Sequence, residues 1–122
     1  GPWMVEDIQT AQGLRTLRFV HDAGSTSPVD FSAPRRGSIV GFFGSLKAGS
    51  EFTVDVTVKV DTVAKFTRSF SNTTSPGRYG KTATFPRGEI PFLADSVIRV
   101  EETPPSVTTT PNGLVVWLEI EM

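Results

Sequence analysis

The stretch from Glu51 to Val60 limits the fold of this chain more than any other segment. Phe52, Val54, Val56, Val58 and Val60 alternate without a break with Thr53, Asp55, Thr57 and Lys59. A helix would scatter these apolar side chains around its axis, whereas a strand lines them along one face. The segment therefore predicts a strand with one face in a core. Val63 to Phe70 follows closely, with Ala64, Phe66 and Phe70 on one face and Lys65, Thr67 and Ser69 on the other. It is the expected hairpin partner.

Parity constrains the turn between them. A two-residue turn at Asp61-Thr62 pairs Val60 with Val63, sets Thr57 opposite Phe66 and mixes the two faces. Pairing Val60 with Ala64 across a three-residue loop sets Val58 opposite Phe66, Val54 opposite Phe70 and Thr57 opposite Thr67, and is the preferred register. It leaves Arg68 on the apolar face opposite Val56. Arg68 must then lie near a sheet end, snorkel, or meet a partner.

Turn signals punctuate the rest of the chain at Ala23-Gly24-Ser25, Ala33-Pro34, Ala48-Gly49-Ser50, Ser75-Pro76-Gly77, Pro104-Pro105 and Pro111-Asn112-Gly113. Between them, strands are expected at about Leu14 to Val20, Ser38 to Phe43, Lys81 to Phe85, Val97 to Glu101, Val107 to Thr109 and Leu114 to Glu121. Pro104 to Pro111 reads as an exposed loop or edge. The helix candidates, near Val5 to Gln12 and Ile90 to Asp95, are one or two turns each. With 14 Val and 15 Thr against 7 Ala and 6 Leu, the composition favours pleated surfaces. The expectation is an all-β chain: an antiparallel β-sandwich of seven or eight short strands, jelly-roll-like.

A length of 122 residues suits one domain and is too short for a two-domain enzyme. Gly1-Pro2-Trp3 ahead of Met4 reads as a tag remnant, leaving 4–122 as a single β-sandwich domain. The last strand pattern runs to the end of the chain, which ties the C-terminus into a sheet. With no cysteine there is no disulfide scaffold and no thiolate metal site. No apolar run approaches the length of a membrane helix, so membrane insertion is not expected.

The net charge of −1 hides a division along the chain. From Lys59 to Arg87 there are six bases and one acid, and from Glu89 to Met122 six acids and one base. Either neighbouring strands neutralise each other within one molecule, or a basic face of one copy meets an acidic face of the next.

The residues that could carry chemistry form no catalytic set. His21, Asp22 and Ser25 invite a triad reading, but the chain has no nucleophile elbow. A single imidazole without a second His or Cys does not point to a transition metal. Glu101 and Glu102 project to opposite faces of a strand, so they cannot together flank one glycosidic bond. The chain is read as a non-enzyme with no catalytic, cofactor or metal residues. Arg35-Arg36-Gly37 is a basic turn, and Ser75 to Arg87 interleaves Arg78, Tyr79, Lys81, Phe85 and Arg87. That pattern can bind single-stranded nucleic acid, yet the overall acidic balance argues against it. Gly37, Gly41 and Gly44 around Phe42-Phe43 form no dinucleotide fingerprint and read as strand-end flexibility or close backbone approach. Asn72-Thr73-Thr74 fits the N-glycosylation pattern, which matters only in a secretory pathway.

In its lack of cysteine, its Thr- and Val-rich short-turned texture and its terminal Val115-Val116-Trp117-Leu118-Glu119-Ile120, the chain resembles the small all-β accessory proteins of tailed bacteriophage particles. These include decoration, head-fibre and tail-tip modules. The resemblance implies a structural subunit, commonly a trimer, that docks on a virion and either stabilises it or contacts the host surface. The residues themselves offer Arg68, Arg78, Tyr79, Lys81, Arg87, Trp117, Glu119 and Glu121 as the candidate interface, with protein partners and self-assembly expected. The alternative is a carbohydrate-binding β-sandwich in which Trp117 or Tyr79 stacks on a sugar. Burial of Trp117 discriminates between the two.

Overall fold

The computed structural model describes residues 3–11, 13–21, 29–46, 52–72, 79–103 and 115–122, with side chains described for 13–19, 30–44, 55–69, 83–101 and 115–122. Ten strands form within them: β1 Trp3–Ala11, β2 Leu14–His21, β3 Val29–Ser32, β4 Gly37–Leu46, β5 Phe52–Val60, β6 Val63–Asn72, β7 Tyr79–Thr84, β8 Pro91–Phe92, β9 Val97–Thr103 and β10 Val115–Glu121. No helix forms among the described residues. One sheet has six strands in the order β1-β2-β10-β4-β7, with β8 paired to β4, and the other four in the order β3-β9-β5-β6.

The pairing is nested. The β5–β6 hairpin is the innermost unit, and β4 with β7, β3 with β9, and β2 with β10 enclose it in turn. One long antiparallel ribbon, wrapped so that successive pairs alternate between two sheets, is the jelly roll. Eight strands build it, and β1 and β8 are additions to the first sheet. β1 replaces the short helix expected near Val5 to Gln12: its backbone is laddered against β2, with Val5 opposite Phe19 and Ile8 opposite Thr16. Paired backbone groups on a sheet edge prevail there over a local helical spacing. The second helix candidate is also corrected. Ile90 and Phe92 are buried while Pro91 and Leu93 are exposed, an alternation that belongs to extended chain. The strand suggested at Val107 to Thr109 lies outside the described residues.

The core fills the space between the sheets with Leu17 and Phe19 of β2, Ile39 and Phe42 of β4, Val56, Val58 and Val60 of β5, Ile98 and Val100 of β9, and Val116, Leu118 and Ile120 of β10. Burying each such side chain contributes roughly 1.5–3 kcal/mol. Phe66 meets Phe42 edge-on at 5.6 Å and packs against Phe85 at 4.8 Å, which closes the core beside β7.

The hairpin takes neither of the simple solutions. Asp61 and Thr62 have φ of 49° and 71°, so the turn has two residues and Val60 faces Val63. Between the pairs Lys59–Ala64 and Val58–Phe66 a bulge then takes up one residue of β6, Lys65, and from there Val58 faces Phe66, Thr57 faces Thr67 and Val54 faces Phe70. The expected three-residue loop is thus corrected: the turn is tighter, and the bulge restores the register the core demands. Arg68 does lie opposite Val56 on the inner face of edge strand β6. It is half-buried, with its guanidinium 5.4 Å over the Phe66 ring and donating to the Thr67 carbonyl at 2.9 Å.

Two carboxylates anchor the second sheet. Asp61 accepts from the Val97 N–H at 2.9 Å and the Ser96 hydroxyl at 2.7 Å, tying the turn to the start of β9. Asp30 of β3 receives both arms of Arg99 on β9, at 2.7 and 3.0 Å. These donors hold both carboxyls below their ordinary values. A depressed folded pKa gives stability that is complete above the unfolded value and is lost as pH falls through the folded one. Acidification below about pH 4 is therefore expected to loosen the β3–β9 edge and the turn before the core yields. Amide exchange at Val97, followed from neutral to acid pH, checks this. A protection factor that stays unchanged down to global unfolding would count against it.

Candidate functional site

The outer face of the six-stranded sheet holds the most distinctive surface among the described residues. On β10, Val116, Leu118 and Ile120 point inward, so Trp117, Glu119 and Glu121 share the outer face. Register places Trp117 between Arg18 of β2 and Phe43 of β4, and Glu119 between Thr16 of β2 and Gly41 of β4. Thr84 of β7 lies beyond Gly41.

Phe43 reaches this face through an irregularity. Between Ile39, which faces Ile120, and Gly41, which faces Glu119, β4 carries an extra residue, Val40. Strict alternation from buried Ile39 would send Phe43 inward; the bulge shifts the phase, so Phe42 is 3% exposed and Phe43 41%. The Phe43 and Trp117 rings are 5.0 Å apart at 46°. Beside them, Gly41 lacks the side chain that would fill the face, and a notch of about 290 Å3 opens, lined by Thr16, Val40, Gly41, Phe42, Phe43, Ala83, Thr84, Trp117 and Glu119. Apolar walls with a few polar groups at the rim are the usual make-up of a small-ligand site. Trp117 is half-buried and Glu119 exposed.

Of the residues predicted from sequence, Trp117 and Glu119 are brought together here. Glu121 lies further along the same strand face and is bound by Arg87 at 2.9 Å. Arg68 belongs to the other sheet. Tyr79 and Lys81 occupy β7 opposite Leu46 and Gly44, their side chains outside the described residues, and Arg78 lies outside them altogether. So do Asp22 and Ser25 of the triad reading and Thr73-Thr74 of the glycosylation pattern. Sequence reading missed Phe43, because only the bulge decides which of the two adjacent phenylalanines turns outward.

Two ion pairs join the divided charges within the molecule. Lys59 pairs with Glu101 at 2.5 Å and Arg87 with Glu121, each joining the basic stretch to the acidic one. Such solvent-accessible pairs at the surface contribute only about 0–1 kcal/mol each. Among the described residues no group of three or more His, Cys, Asp or Glu could hold a metal ion. No helix there is long and apolar enough to cross a membrane.

No family model matches the chain. No curated protein matches it either. Among solved structures, the chain is similar to the native structure of a family 35 carbohydrate binding module from Clostridium thermocellum, with 14% identity, 98% of this chain and 88% of that chain covered, and a TM-score of 0.41.

Proposed function

We propose that the protein is a non-catalytic binding module whose ligand is a carbohydrate, held on the Trp117–Phe43 platform. The carrying observation is the aromatic pair, turned outward on a rigid sheet beside a notch rimmed by Glu119, Thr16 and Thr84. A pyranose has an apolar C–H face and a rim of hydroxyls. Its face fits against the rings, and its rim meets the carboxylate and the threonine hydroxyls. Because the platform sits on sheet rather than on loops, its geometry is set before the ligand arrives, which lowers the ordering cost of binding. Two bases of the basic stretch, Lys59 and Arg87, are paired with acids of the same molecule, which weakens the argument for head-to-tail assembly.

Trp117→Ala is expected to weaken glycan binding about tenfold or more, with little change in melting temperature because the ring lies on the outer face. A broad glycan array followed by calorimetry on the hits measures this. No binding on neutral, acidic and basic glycans, or full binding by the alanine variant, removes the reading.

Protein contact within a larger assembly, as the phage-protein resemblance implies, is the second reading. It is supported by Leu93 and Val63, 69% and 55% exposed. Leu93 is presented by a tight turn in which its N–H donates to the Ser96 hydroxyl and its carbonyl accepts from the Ser96 N–H. Sedimentation velocity at low and high salt tests it, and a monomer throughout counts against self-assembly.

A further inference from the structure

We infer that the platform selects a pyranose carrying a protonated amine, an amino sugar, and that Glu119 is the group that reads that charge. This rests on the carbohydrate reading above and narrows it. The two rings, 5.0 Å apart and tilted by 46°, are too close to seat two sugars and instead form two walls of one seat. The notch of about 290 Å3 lies near the lower end of ligand pockets, room for one ring and its substituents.

Charge then decides what the ring carries. Glu119 is the one charged side chain among the residues lining the notch. It is exposed and forms no ion pair among the described residues. The nearest base by register, Arg18, stands across Trp117, outside the lining, and has partners of its own. The aromatic faces add negative potential, which attracts a cation close above them. At Gly41 a Cβ would come to 3.2 Å from the Glu119 Cβ, so bare backbone lies beside the base of the Glu119 side chain, and the glutamate is itself part of the notch lining. The site is thus negative on its floor and wall. An ammonium is attracted, a hydroxyl tolerated, and a uronate or sulfate repelled.

The test uses oligomers of glucosamine, N-acetylglucosamine and glucose matched in linkage and length, titrated by calorimetry at low salt. The glucosamine oligomer is expected to bind about fivefold tighter than the other two, the size of an exposed ion pair assisted by a cation–π contact. Glu119→Gln, isosteric and exposed, is expected to erase the preference, so that on the variant the glucosamine oligomer binds no tighter than the other two. Equal binding of all three by the native chain overturns the inference and leaves the carbohydrate reading standing, as does a preference that survives Glu119→Gln. Failure of all three to bind overturns the inference, while the carbohydrate reading falls only if the broad array is empty as well.

Discussion

Alanine at Phe42 is expected to lower the unfolding free energy by about 3–5 kcal/mol, while alanine at the next residue, Phe43, costs about 1 kcal/mol or less and weakens ligand binding instead. Phe42 is 3% exposed and packs edge-on against Phe66, so its loss opens a cavity between the sheets that the strands on either side cannot close. Phe43, 41% exposed, has water on one side and Trp117 on the other. Its removal forfeits one aromatic contact and half of the platform. For a chain of this size the first change corresponds to a fall in melting temperature of roughly 10–20 °C. Calorimetric melting of both variants, with glycan titration of Phe43→Ala, separates them. Equal destabilisation at the two positions would mean that the Val40 bulge does not set the phase of β4.

Gly37→Ala is expected to cost about 3 kcal/mol or more, the upper range for forcing volume into a packed site. A Cβ at Gly37 would lie 2.1 Å from the carbonyl oxygen of Glu121, 2.8 Å from Cζ of Phe92 and 2.9 Å from Cγ of Met122. The first contact is backbone and cannot swing aside. Relief requires the end of β10 to move away from β4, and the Met122 N–H that donates to the Gly13 carbonyl at 2.9 Å would move with it. The strands that carry Trp117 and Phe43 are these same two, so the variant is expected to lose ligand binding together with stability. Urea unfolding measures the cost. A shift in midpoint worth less than about 1 kcal/mol would show that β10 ends with more freedom than its contacts imply.

The sandwich was legible because period two is a strong signal where one face is buried. The valines of β5 announced both their strand and its inner face, and the pairing of Val58 with Phe66 followed from parity. Bulges were not legible. At Lys65 and at Val40 one residue is absorbed without any mark in the local sequence, since what selects the bulge is the partner strand's burial pattern and the turn at Asp61-Thr62. β3 was missed for a different reason. Its four residues lie between prolines and hold their place through Asp30 and Arg99, which are 69 positions apart. The same distance effect hid half of the candidate site. Trp117 and Glu119 stood out by type and alternation, whereas Phe43 gained its role only when β4 lay against β10. Gly37 read as strand-end flexibility or close backbone approach, and the second holds; the identity of the approaching group, the Glu121 carbonyl, depended on the tertiary fold.

The nested ribbon has a final consequence for recognition. Thr16, Phe43 and Trp117 lie on three strands far apart in the sequence, and they become neighbours only when β10 pairs with β2 on one side and with β4 on the other. Contacts of such long range are the slowest to form during folding. On the carbohydrate reading, affinity therefore requires all three strands in place, and no proteolytic half of the molecule would retain it.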